Sequence, residues 1–190
     1  MKYLNWKSID DEKINGAFEL VPDFINDDRG FFSRLLDTDE ISEKLGYEFK
    51  ICQINNSLSS KVNTMRGFHM QLGKSAETKI IRCISGACFD YILDLRPESA
   101  TFLKFGVIEL DSVKRNCACL PKGCAHAIRT IKADTEVIYY VDNYYDPNSE
   151  FGLNPLDPIF KSFFASNQLH ISKKDESWPD LDLKNINFSL

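Results

Sequence analysis

Apolar and β-branched runs of about four to eight residues follow one another through the middle of the chain, separated by breaks that hold Gly, Pro, Asn or Asp. Runs of that length with such breaks are strands and turns. Glu77 to Cys83 and Ala87 to Leu95 flank Ser85-Gly86, and Ala87, Phe89, Tyr91, Leu93 and Leu95 alternate with less apolar neighbours, which predicts a hairpin. Further strands are predicted over Lys50 to Asn55, Met65 to Met70, Lys104 to Leu110, Asn116 to Leu120, Ala125 to Ile131 and Glu136 to Val141. Strands so short and so frequent predict an all-β sandwich or barrel. The helices that a βαβ unit needs are missing between them, as are GxGxxG and Walker sequences, so a doubly wound sheet is disfavoured.

Two helical signals stand outside this pattern. Asp37 and Glu40 have capping-box spacing, and Ile41 and Leu45 lie four apart before Gly46, which predicts a short peripheral helix over Asp39 to Leu45. A second helix is expected after Asp157, with Pro158 at its first position and Ile159, Phe160, Phe163 and Phe164 on one apolar face. The polar tail after Asn167 is expected to wrap back over the barrel or to end loosely. No repeat, low-complexity segment or internal boundary divides the chain, so residues 1–190 are read as one domain, with an N-terminal stretch through Leu36 whose strands could cross to a partner.

Composition changes this picture little. With 43% hydrophobic and 27% charged residues in 190, the chain can bury a core and is not disordered. A formal charge of -5 argues against a general nucleic-acid binder but leaves room for a diphosphate, which needs only two or three aimed cations. The charged N-terminus does not read as a secretory segment, and no apolar run approaches the length of a membrane span, so a cytoplasmic protein is expected. Cys52, Cys83, Cys88, Cys117, Cys119 and Cys124 sit mostly in apolar runs and read as buried thiols; Cys117, Cys119 and Cys124 lack the paired knuckles and fourth ligand of a zinc site.

The candidate chemistry centres on His69 and His126, each approached through a glycine-containing turn. A metal-binding barrel would place a second histidine two residues after the first, where Gln71 stands. A barrel histidine without a metal can act as a proton-transfer base if a partner orients it; the alternative is a histidine that fills a polar gap in the core. Arg66 and Lys79 make the neighbourhood electropositive, as an oxyanion or diphosphate requires, although either could be a surface ion pair. Arg66 and His69 are three apart and share one side of a strand only if it bulges, for which Gly67 is the natural place. Tyr139 shares a strand face with Val137 and Val141, and its phenol could donate a proton or simply pack.

Arg66-Gly67-Phe68-His69-Met70-Gln71 resembles the RGLHYQ motif of the dTDP-4-dehydrorhamnose 3,5-epimerase family, cupin-like enzymes of nucleotide-sugar biosynthesis with a double-stranded β-helix (jelly-roll) fold. Asp28-Arg29-Gly30-Phe31-Phe32 resembles that family's ERGFF segment, Gln53-Ile54-Asn55 with Ser57 its QDN-S stretch, and Ser172-Lys173-Lys174-Asp175 its SxKD. Lys79-Ile80-Ile81-Arg82, Asp94-Leu95-Arg96, Pro121 to His126 and Asn143-Tyr144-Tyr145 continue the likeness in order.

The resemblance implies an epimerase without cofactor or metal, in which His69 is the base, Asp175 its orienting carboxylate, Tyr139 the general acid and Lys79 the cation near O4. It further implies that Gln53, Asn55, Arg66 and His126 contact a nucleotide-diphosphate 4-keto sugar. Arg29 and Phe32 match residues that a neighbouring subunit contributes, in a homodimer with exchanged N-terminal strands. Met70, Tyr140 and Arg34 depart from the motif, and no tryptophan precedes Asp157-Pro158; these changes bear on the choice of substrate. A single-site epimerase, a 3,4-ketoisomerase on another nucleotide and a non-catalytic sugar-nucleotide-binding module remain the alternatives.

Overall fold

Burial of two apolar faces per strand dictates the layering. The computed structural model, which describes residues 1–161, 163–164 and 168–183, has two antiparallel sheets facing each other. Six strands make one sheet, in the order β1 (Lys2–Lys7), β2 (Lys13–Val21), β10 (Cys117–Leu120), β7 (Lys79–Ser85), β12 (Thr135–Val141) and β5 (Gln53–Ser59). Five make the other: β13 (Glu150–Gly152), β6 (Met65–Gln71), β11 (Cys124–Thr130), β8 (Ala87–Asp94) and β9 (Phe105–Asp111). A separate hairpin joins β3 (Ile25–Asp27) to β4 (Gly30–Phe32), and three short helices, α1 (Thr38–Leu45), α2 (Pro158–Lys161) and α3 (Lys173–Glu176), lie at the periphery. This is the expected all-β, double-stranded β-helix. No helix among the described residues is long and apolar enough to cross a membrane.

Three apolar clusters hold the sheets. Trp6, Ile14, Ile81, Ile92, Leu110, Ile128 and Val137 fill the space between them. A second cluster covers the outside of the five-stranded sheet, where Phe68 lies 4.6 Å from Phe160 and Tyr91 lies 5.1 Å from Phe164 between ring centres. The third lies under α1 and joins Ile41 and Phe49 to Phe18, Leu20 and Ile80. Asp37 accepts from the backbone N–H of Asp39 and Glu40, and Gly46 closes the helix in the left-handed conformation, as expected, while the Glu40 carboxylate accepts from Tyr3 Oη. Phe160 on α2 and Phe164 beyond it are buried but Ile159 is exposed, so the apolar face is narrower than its sequence suggests. All six cysteines are free thiols; Cys124 belongs to the inner cluster and Cys117 and Cys119 to the one under α1.

Two sequence expectations are corrected. Ser85-Gly86 does not close a hairpin: β7 pairs with β10 and β12, β8 with β11 and β9, so the chain crosses from one sheet to the other there. Gly86 sits at φ +74 at this corner, and a Cβ on it would meet Thr135 Oγ1 at 2.4 Å. The strand predicted over Lys50 to Asn55 instead runs Gln53–Ser59, because its register with β12 turns Gln53, Asn55 and Ser57 inward and leaves Ile54 and Leu58 each 57% exposed. Its polar side faces inward because that end of the barrel is a cavity rather than a core.

Asp94 of the Asp94-Leu95-Arg96 motif braces the far end of β8. Its fully buried carboxylate accepts from Arg96 Nε at 2.8 Å, Arg96 Nη2 at 2.7 Å, Ser99 Oγ at 2.6 Å and Thr101 Oγ1 at 2.7 Å. Burial disfavours the charge, but these donors outweigh it and hold the carboxyl below the ordinary range. Its stabilisation is therefore complete above the unfolded carboxylate range and is lost as pH falls through the lowered value. Asp94→Ala is expected to cost about 3–5 kcal/mol by orphaning the Arg96 guanidinium, read as a fall in the urea midpoint with unchanged slope.

Candidate active site

At the β5 end of the barrel two adjoining cavities of about 380 and 330 Å³ open between the sheets and share His69, Lys79 and Tyr139. The five-stranded sheet presents His69. The register of β6 on β11 slips between His69↔His126 and Arg66↔Ile128, so three steps on β6 match two on β11. That bulge at Gly67 puts Arg66 and His69 on the same cavity wall, as the spacing required. Gly67 has φ +111, and a Cβ there would stand 2.4 Å from the His126 carbonyl oxygen, so no other residue fits.

His69 Nε2 donates to Asp175 Oδ1 at 2.7 Å. A carboxylate only accepts, so in the neutral ring the lone pair falls on Nδ1. Burial works against the Asp175 charge, but His69 and the Ser172 hydroxyl hold its carboxyl below the ordinary range. Asp175 comes from α3, which at four residues is too short to stand alone. The chain pins it from both sides: Met65 N donates to His170 O and His170 N to Asn63 O before it, and Asn154 N to Pro179 O and Leu181 N to Asp157 Oδ2 after it. The tail after Asn167 thus wraps back over the barrel as far as residue 183.

The six-stranded sheet faces His69 with Lys79, Tyr139, Asn55 and Gln53. Tyr139 pairs with Asn55 on one side and with Ile81 on the other. Burial first, then the Glu77 charge, pushes its phenol up, with Arg66 pulling the other way, so it stays protonated in the neutral range. Lys79 Nζ lies 3.0 Å from Glu77 Oε1.

Arg66 is anchored to β5 by Nε donating to Ser59 Oγ and Nη2 to the Leu58 carbonyl. His126 Nδ1 and Asp90 Oδ1 lie 3.3 Å apart. Burial lowers His126, helped by the charges of Lys79 and His69, and raises Asp90, so burial works against the charged form of each. Among the described residues no group of three or more His, Cys, Asp or Glu side chains is placed to hold a metal ion.

Eight of the ten sequence candidates therefore converge: His69, Asp175, Tyr139, Lys79, Gln53, Asn55, Arg66 and His126. Arg29 and Phe32 do not. Arg29 is an exposed residue at the tip of the β3–β4 hairpin, paired with Asp27, and Phe32 borders a separate hollow with Ile25, Arg34 and Glu40. Of the departures from the motif, Met70 lines the cavity, Tyr140 packs toward the α1 side and Arg34 pairs with Asp37. The sequence did not single out Glu77 or Glu150, and Tyr145 entered only as part of a motif, with no role. Glu150 accepts from Tyr145 Oη at 2.9 Å and from Lys174 Nζ at 2.7 Å, a clasp at the cavity that joins Lys174 to a residue 24 positions before it.

An oriented imidazole on one sheet faces a protonated phenol and an ammonium on the other, inside a double-stranded β-helix, an arrangement suited to an isomerase that works by proton transfer. The chain belongs to the dTDP-4-dehydrorhamnose 3,5-epimerase family, whose sequence profile it matches over residues 11–182. It is 36% identical over 171 residues to the dTDP-4-dehydrorhamnose 3,5-epimerase of Escherichia coli (strain K12), covering 90% of this chain and 92% of that one. It is 32% identical to the dTDP-4-dehydrorhamnose 3-epimerase of Streptomyces niveus, covering 86% and 78%. The crystal structure of dTDP-6-deoxy-D-glucose-3,5-epimerase from Legionella pneumophila in complex with dTDP-4-keto-L-rhamnose superimposes with a TM-score of 0.84 at 28% identity, covering 96% of this chain and 93% of that one. The protein is an isomerase that epimerises a nucleotide-linked 4-keto-6-deoxyhexose.

Proposed function

We propose that the enzyme inverts C3 and C5 of a dTDP-linked 4-keto-6-deoxyhexose, with His69 taking a proton from one face of the ring and Tyr139 returning one to the other. The placement of these two side chains on opposite sheets across one cavity carries this reading. The 4-keto group acidifies the protons at C3 and C5, and negative charge develops on O4 as either leaves. The Lys79 ammonium interacts more strongly with that enolate than with the ketone, which lowers the barrier. Asp175 fixes the imidazole tautomer and favours the imidazolium formed after abstraction. Gln53, Asn55, Arg66 and His126 supply the remaining polar contacts to sugar and diphosphate.

Arg29 and Phe32 serve a neighbouring subunit in a homodimer that exchanges N-terminal segments. In support, the β3–β4 hairpin pairs with neither main sheet and carries Ile25 and Phe32 with more than two thirds of their surface exposed. Residues 1–190 act as one domain.

Incubation in heavy water with dTDP-, CDP- and GDP-linked 4-keto-6-deoxy sugars tests the assignment. Deuterium at both C3 and C5 of the dTDP sugar is expected. Uptake at one carbon alone would make this a single-site epimerase, and uptake at neither carbon of any of the three would end the reading.

A further inference from the structure

Glu77 lies in the extended stretch just before β7, with its side chain in the cavity that holds His69, Lys79 and Tyr139. Only 7% of that side chain is exposed, and its partner Lys79 is 13% exposed. A pair this dry is unlike a solvated surface salt bridge, because both charges depend on each other for solvation. The backbone around it is fixed: Thr78 N donates to Asp142 Oδ1 at 2.7 Å, the Thr78 and Tyr47 hydroxyls lie 2.8 Å apart, and Asn143 Nδ2 donates to the Lys74 carbonyl at 2.7 Å.

We propose that Glu77 is a positioning residue of the reaction, its carboxylate holding the Lys79 ammonium on the cavity wall that also carries Tyr139. The proposal rests on the epimerase reading and adds to it a carboxylate that touches no reacting atom. The other charged or titratable groups around Lys79 and Tyr139 are Arg66 and His69 on β6, His126 on β11 with Asp90 behind it on β8, Glu150 on β13 with Tyr145 before it, and Lys174 and Asp175 on α3. Among them Glu77 is the carboxylate whose charge raises the phenol, and Arg66 opposes it. Glu77 also weakens the field of Lys79 at O4, so its charge and its geometry act on the rate in opposite senses. Two variants separate them.

Glu77→Gln keeps an acceptor oxygen for Lys79 and removes only the charge. Its Tyr139 phenol, followed by ultraviolet difference titration with Tyr139→Phe identifying the signal, is expected to ionise at lower pH than in the wild type, and the alkaline fall in deuterium exchange should move the same way. Glu77→Ala removes the geometry as well, and kcat for exchange is expected to fall at least about tenfold with KM changed less than about twofold. An unmoved phenol titration in Glu77→Gln, or wild-type kcat in Glu77→Ala, would overturn the proposal. Wild-type protein that exchanges no keto sugar would instead defeat the epimerase reading, and the phenol titration would still decide the role of Glu77.

Discussion

His69→Asn is expected to lower deuterium uptake at both C3 and C5 by about 10²–10⁴-fold, the usual worth of a positioned general base. Asparagine keeps an N–H to offer Asp175, so the variant strands no buried carboxylate and should fold. It carries no basic lone pair, and the other bases around the cavity are engaged: His126 with Asp90, Glu77 with Lys79, Glu150 with Tyr145 and Lys174, and Asp175 behind the imidazole. Affinity for dTDP measured by calorimetry should change less than about threefold, because the Gln53, Asn55 and Arg66 contacts are separate from the base. Exchange retained at more than a tenth of the wild-type rate would remove His69 from the mechanism.

The parts of this site that were legible in the sequence are those set by local geometry. Asp37 and Gly46 specify the ends of α1 because caps are satisfied within a turn of the chain. The Arg66-Gly67-Phe68-His69 spacing demanded a bulge, because two side chains three apart reach one face no other way. Long-range pairing was not legible. Ser85-Gly86 has the local character of a hairpin turn, and only the partners of β7 and β8, drawn from opposite sheets, decide otherwise. In β5, hydrophobicity pointed the wrong way, since polar Gln53, Asn55 and Ser57 face a wet cavity while Ile54 and Leu58 face out. Asp175 lies 106 residues from His69, and no periodicity joins them; it was reached through the resemblance of Ser172-Lys173-Lys174-Asp175 to a known motif. Glu77 escaped notice because a charged residue ahead of a strand is ordinarily solvated, and its burial depends on the Asn143 and Asp142 contacts that fold its loop inward.

Tyr139→Phe is expected to uncouple exchange from inversion. Phenylalanine preserves the ring that packs against the inner cluster, so the strand and cavity should survive, while the phenol hydroxyl on the sheet opposite His69 is lost. In the proposed mechanism abstraction uses His69, Asp175 and Lys79, all still present, so the enolate should form at within about tenfold of the wild-type rate. With the phenol gone from the far face, the proton is expected to return from the imidazolium to the face it left. The sugar recovered from heavy water should then carry deuterium at C3 and C5 with its original configuration, and inverted product should fall by about 10²-fold or more. Nuclear magnetic resonance of the recovered sugar distinguishes retained from inverted deuterated carbons. Inversion at near the wild-type rate would mean that water reaches that face and serves as the acid. Loss of exchange as complete as in His69→Asn would mean that the phenol supports enolate formation itself, as a hydrogen-bond donor to O4 beside Lys79, and the two-face division of labour would have to be given up.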